Sequence, residues 1–448
     1  YINGIQIYQN SFLPFSLGFV GFYEESGEKG TFDNLKVTDE NGKVLLDEKF
    51  DGEAGFSSGV RNEDGTFTVE NDRFCIRATD GAAAIADGRT VNSGSYVNAP
   101  ALMFRREFSA KAAVTSARLY VTSAGNYEMY LNGQTVTDSY FNPGRTDYSR
   151  NLLYQTYDVT SLVQSGQNAI GAYVGAGWLH TKWNNFGEKF GLLVRLDLTY
   201  ADGTTETVVT DGNWKSYNNG PIRYQDYMNG ETYDARYEVE NWHTAGCKEE
   251  GWIAAKVTTA GDLGVSKTPV YTATPPIRAG EELVPKFYSS PTANVVVYDF
   301  GQNMAGTVSV KIKAPAGTKL KFTYGEILNE KKLENSDGNP GTVFRKNLSD
   351  AQATDYYICK GDPDGEVFSP TMTSHGFRYM QIEGENKNVY AVMFSDVKAL
   401  ALYTDLSRTG TFESSNELLN RYYLNSYWSN ISNFLNTPTD CPQRGERT

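Results

Sequence analysis

The stretch SARLYVTSAGNYEMYLNGQTV, Ser116–Val136, decides the fold. Apolar and polar residues alternate along it, the period of a half-buried strand, and Asn132-Gly133 supplies the pair that a tight hairpin turn favours. The next stretch, YQTYDVTSLVQSGQNAIGAYVGAGW (Tyr154–Trp178), reads strand, short turn, strand. Together they predict a mainly β protein whose central module, residues 96–262, is a β-sandwich of jelly-roll type.

The composition agrees with that reading. The chain has 448 residues, with 43 Gly, 30 Tyr and 23 Phe, as expected of aromatic strands joined by glycine turns. Its length points to about three domains. A net charge of −13 argues against nucleic acid as a partner, because a phosphate-binding face needs clustered Lys and Arg. No stretch approaches the ~18 apolar residues of a membrane helix, so membrane insertion is not expected. The four cysteines (Cys75, Cys247, Cys359, Cys441) are far apart and read as buried free thiols. The chain begins at Tyr1 rather than Met, which suggests a trimmed end. Secreted, periplasmic and cytoplasmic locations all stay open.

Outward from the central module, residues 1–60 read as strands and turns. They resemble the closing strands of a concanavalin-like or laminin-G-like sandwich, a partial one. Residues 61–95 read as a connecting β segment. Beyond the Pro-rich linker TPPIRAGEEL (Thr274–Leu283), residues 263–405 read as a further β-sandwich domain. Only near the end does the period change. SSNELLNRYYLNSYWSNISNFLN places Leu418, Leu419, Tyr422, Tyr423, Trp428, Ile431 and Leu435 at helical spacing, with Ser414 or Ser415, then Asn416, as candidate caps.

The chain closes on DCPQRGERT, Asp440–Thr448. With D-F-G-Q-N at Asp299–Asn303 and H-G-F-R-Y at His375–Tyr379, this segment resembles the bacterial α-L-rhamnosidases of glycoside hydrolase family 78 over about residues 96–448. The resemblance implies that residues 406–448 start an (α/α)6 catalytic barrel, cut off after its first helix. It implies an inverting hydrolase of terminal non-reducing α-L-rhamnosyl residues in plant glycans or glycosides, without an organic cofactor. Glu446 would then be the general acid, with Asp440 and Arg444 holding sugar hydroxyls. An inverting enzyme needs a second carboxylate roughly 6.5–9.5 Å away, and an acid of raised pKa. The family usually has an aspartate where this chain has Gly445. With the general base and the rest of the barrel outside these residues, the reading expects this chain alone to be inactive.

The resemblance also implies that the jelly-roll module is an accessory carbohydrate-binding module, one that holds L-rhamnose through calcium in some members. Aromatic faces and planar amides suit sugars, and calcium takes six to eight oxygens. AGWLHTKWNNFGEKF (Ala176–Phe190) offers Trp183, Asn184 and Asn185, and YNNGPIRYQDYMNGETYDAR (Tyr217–Arg236) offers Asn229 and Glu231. Individual calcium ligands are not readable from spacing. Trp178 can equally be core, and Asn218-Asn219-Gly220 and Asn229-Gly230 are also turn signals. His180, His243 and His375 are too scattered for a zinc set. Two other readings remain: a carbohydrate-binding protein that never had a barrel, and a glycoside hydrolase of another sugar specificity.

Overall fold

The computed structural model describes residues 100–448 apart from 182–185, 188, 332–335, 350, 387 and 445–448, and, before residue 100, the backbone of short strands between 19 and 90. The chain divides into two units, Tyr1–Pro100 and Ala101–Thr448. In the first, Ala82–Thr90 pairs with both Phe19–Glu24 and Phe56–Ser58, and Phe74–Ala78 pairs with Lys29–Phe32 and Gly65–Val69. Strands expected to form a separate connecting segment therefore share sheets with those assigned to the partial sandwich.

The second unit is mainly β, as the alternation requires. Val114–Ala124 is the centre of a five-stranded sheet, flanked by Gly191–Tyr200 and Leu152–Asp158. Its inward side chains Ala117, Leu119 and Val121 are buried, as are Val194, Leu196 and Leu198 opposite. The facing six-stranded sheet is built on Leu102–Ala110, Gly166–Gly175 and Asn126–Leu131. The Asn132-Gly133 turn forms as read: both residues have positive φ, 50° and 84°, and Tyr130 pairs with Thr135 across it.

Arg105 lies on that second sheet and is fully buried. Its guanidinium donates to the carbonyls of Trp242 and Thr244 at 2.8 and 3.0 Å and pairs with Glu107 and Glu249. Such a charge is tolerable inside only because every face of it is matched.

A ten-stranded sheet forms the second sandwich. Its order runs Ile222–Asp226, Gly230–Asp234, Thr354–Ile358, Lys319–Gly325, His375–Gly384, Val295–Lys313, Met393–Thr404, Ile277–Leu283, with two short strands beside Val295–Lys313. The first two strands come from within the stretch read as the sugar-binding module. The jelly roll takes a strand in return, because Pro269–Tyr271 runs parallel to Leu152–Asp158. The boundary expected at residue 262 is thus crossed in both directions.

The terminal helix spans Glu417–Ser432. Asn416 caps it, accepting from the amides of Leu418 and Leu419, while Ser414, the earlier candidate, is engaged with Asn420. Leu418 and Tyr422 on its first turns are exposed, and its far end meets the sandwich where the Ala305 amide donates to Ser432 Oγ. Cys359 is buried as expected, but Cys247 and Cys441 are only half-buried.

Replacing Arg105 with alanine is expected to cost about 3 kcal/mol, since it removes the cation that Glu107 and Glu249 share and leaves the Trp242 and Thr244 carbonyls without their donor. Urea denaturation followed by tryptophan fluorescence measures this, and a loss below about 1 kcal/mol, the net value of one ordinary hydrogen bond, would contradict it.

Candidate functional site

The hairpin that leaves the jelly roll carries two of the candidate residues, Asn229 and Glu231, and the structure places them away from any exposed loop. Thr232, Tyr233 and Asp234 pair in parallel with Tyr356, Tyr357 and Ile358. Gly230 has φ 126°, and a Cβ there would land on the Thr354 carbonyl, so only glycine lets the hairpin dock. The Asn229 side chain accepts from the Gln352 amide at 3.2 Å and its carbonyl accepts from Thr354. The Asn218-Asn219-Gly220 stretch, by contrast, shows none of the positive φ its turn reading supposed.

Glu231 is buried and accepts from the Met372 amide at 3.1 Å. Burial, with the Asp355 carboxylate as a second cause, pushes its carboxyl well above the ordinary carboxylate range. Asp355 Oδ1 accepts from the Glu231 amide at 2.7 Å and lies 3.1 Å from His375 Nε2. His375, fully buried, stacks on Tyr324 with ring centroids 4.3 Å apart. This is an interior polar knot supporting the strand rather than a solvent-facing catalytic set.

Trp178 is core. It packs on Tyr227 at 3.9 Å between centroids, with Arg145 over its ring at 5.4 Å. Trp183, Asn184 and Asn185 lie outside the described residues, as does Glu446. Asn229 and Glu231 do not fit a calcium cradle, because both Asn229 oxygens and one Glu231 carboxylate oxygen already accept from backbone amides. Among the described residues no group of three or more His, Cys, Asp or Glu could hold a metal ion.

At the carboxyl end Asp440 is exposed and Cys441–Arg444 form a turn, the Arg444 amide donating to the Cys441 carbonyl. The turn lies on the second sandwich. A Cβ on Gly376 would sit 2.6 Å from Gln443 Cβ, and Arg444 Nη1 donates to the Asn347 carbonyl at 3.1 Å. Alongside, the long strand Val295–Lys313 breaks register: Asp299 pairs with Tyr379 but Met304 with Phe377, so D-F-G-Q-N bulges out. Arg378 clamps Asp299 through both carboxylate oxygens at 2.8 and 2.7 Å, which holds that carboxyl below its usual range. Asn303, at the end of the bulge, donates to Glu326 at 2.7 Å, and Asn347 reaches the same carboxylate. Glu326 and Asn347 were not singled out from the sequence, since nothing in their local pattern marks them. Asn303 and Gly376 stood inside motifs that were.

Two β-sandwiches thus lead into a helix and a loop that carries Asp440 and Arg444. Residues 112–281 match the α-L-rhamnosidase N-terminal domain, 290–403 the bacterial α-L-rhamnosidase concanavalin-like domain, and 407–448 the bacterial α-L-rhamnosidase six-hairpin glycosidase domain. The chain belongs to the bacterial α-L-rhamnosidase family. It is 37% identical over 339 residues to an α-L-rhamnosidase of Streptomyces avermitilis, covering 75% of this chain and 31% of that protein. An Alteromonas sp. α-L-rhamnosidase is 33% identical over 351 residues, 77% of this chain and 36% of the relative. The chain thus spans about a third of the length of these curated relatives. The crystal structure of the S. avermitilis α-L-rhamnosidase complexed with L-rhamnose superposes with TM-score 0.71 at 26% identity, covering 96% of this chain and 47% of that one. The α-L-rhamnosidase of Dictyoglumus thermophilum gives 0.70 at 27%, covering 94% and 45%.

The raised pKa of Glu231 has a definite sign. The native protein keeps a proton that the unfolded chain gives up, so this group's contribution to stability falls as pH rises above the ordinary carboxylate range. Glu231→Gln removes that titration. Its stability relative to the parent is expected to rise from pH 5 to pH 8, by at most about 1.4 kcal/mol per pH unit, in urea midpoints. A difference constant with pH would contradict the assignment.

Proposed function

We propose that this chain is the accessory and loop-bearing part of an inverting α-L-rhamnosidase acting on terminal non-reducing α-L-rhamnosyl residues of plant glycans or glycosides. The observation that carries this is the Asp440–Arg444 segment, seated on the second sandwich directly after the terminal helix, in a chain matching three rhamnosidase domains in order. Asp440 is exposed and Arg444 is held at the loop, a pair suited to binding adjacent sugar hydroxyls.

Glu446, two residues further, is assigned the role of general acid that protonates the departing oxygen. The base that activates water is assigned to the six-hairpin barrel, and the carboxyl separation must leave room for that water. The 448 residues alone are therefore expected to bind sugar rather than cleave it. The jelly roll is assigned rhamnose binding through Trp183, Asn184 and Asn185, with calcium as a candidate helper there.

Two experiments test this reading. When the chain is joined to a six-hairpin barrel, an aryl α-L-rhamnoside should first release β-L-rhamnose, seen by NMR of the anomeric proton. First release of the α anomer would sink inversion, and cleavage of a different glycoside alone would favour another sugar specificity. For the chain itself, L-rhamnose is titrated by calorimetry with calcium and after chelation. Heat lost on chelation is the expected result, and no heat in either condition would remove the sugar-binding role.

A further inference from the structure

The loop that bears Gln443 and Arg444 is constrained at consecutive residues by two parts of the second sandwich. At Gln443 the constraint is steric: a Gly376 Cβ would lie 2.6 Å from Gln443 Cβ and 2.8 Å from its Cα and N. These are distances at which something must shift, and two of the three atoms belong to backbone, which cannot swing away. At Arg444 the constraint is polar. Its Nη1 donates to the Asn347 carbonyl, and the Asn347 side chain reaches Glu326, which also accepts from Asn303 of the D-F-G-Q-N bulge. Behind that bulge stands the Arg378–Asp299 clamp, and Asp299 Oδ1 also accepts from the Gly301 amide at 2.7 Å.

We propose that Gly376 and Glu326 are positioning residues: they set where the Asp440–Arg444 loop sits, and hence where Arg444 meets a sugar. D-F-G-Q-N and H-G-F-R-Y thus act together as a platform for the loop. A charged side chain contributes to binding only if its direction is fixed beforehand, and a misplacement of about 1 Å at such a group is enough to lose much of its effect. That Arg444 meets a sugar rests on the function proposed above, whereas support of the loop by the sandwich does not.

The experiment follows amide hydrogen exchange of residues 439–444 by mass spectrometry, in the chain as it stands and in G376A, E326A and E326Q. Exchange in the loop should speed up about tenfold or more in G376A and E326A, as a local opening does. Glu326→Gln keeps one acceptor oxygen and should fall between E326A and the parent. Strands Lys319–Gly325 and Met393–Thr404 should keep their protection throughout. Unchanged loop exchange in both G376A and E326A overturns the proposal. Loss of strand protection in step with the loop also overturns it, because that is general destabilisation. If G376A does not fold, the E326A and E326Q pair decides alone. Failure to bind or cleave a rhamnoside would count against the function and leave these exchange results standing.

Discussion

The architecture depends on one close backbone approach, the docking of the 222–234 hairpin against Thr354 and Asp355. Gly230 permits it sterically and Asp355 secures it by accepting from the Glu231 amide at 2.7 Å. Because the same hairpin's turn packs under Trp178 and Phe141 of the jelly roll, the two sandwiches share one interior. The Tyr227 carbonyl accepts from the Ser374 amide and the Thr373 hydroxyl. His375 and Gly376 follow at once in the chain, so the strand that seats the terminal loop is fixed from below by this junction. Support thus runs from jelly roll to hairpin to strand to loop, each step a packed or hydrogen-bonded contact.

The polar residues in this junction are costly to bury and only partly matched, since His375 Nδ1 and Asp355 Oδ2 meet no hydrogen-bond partner among the described residues. Glu231 answers its desolvation by holding its proton, and His375 by stacking on Tyr324 and meeting Asp355. A wholly apolar junction would pack as well, but it would fix the register of the hairpin less sharply, since hydrogen bonds are directional and apolar contacts are not.

Much of the fold was legible in the sequence because alternation and turn chemistry are local. Asn132-Gly133 made its hairpin, Trp178 after Gly-Ala-Gly is core, and the terminal helix lies where the spacing changed. The pairing partners were not legible. Period-2 alternation says that Ile222–Asp226 and Gly230–Asp234 are strands, but not which sheet receives them, so Asn229 and Glu231 looked like loop residues. Helix capping was readable only as a choice among Ser414, Ser415 and Asn416, because all three side chains can accept from a first-turn amide and only the folded geometry, with Ser414 turned to Asn420, gives that place to Asn416. For the candidate site, the motif containing Asp440 and Arg444 stood out, while Glu326 and Asn347 come near it only through folding.

The central claim, that the two sandwiches are welded into one cooperative body, is tested most directly by unfolding them under two separate probes. Trp178, Trp214, Trp242 and Trp252 are buried on the jelly-roll side, so once Trp428 of the terminal helix is replaced by phenylalanine, tryptophan fluorescence reports that part. Cys359 is a buried thiol beside the strand that receives the hairpin, so pulsed alkylation of Cys359 reports the second sandwich. Across a urea series the fluorescence and alkylation midpoints should coincide. Two separated midpoints, with Cys359 still protected after the tryptophans are exposed or the reverse, would contradict the account.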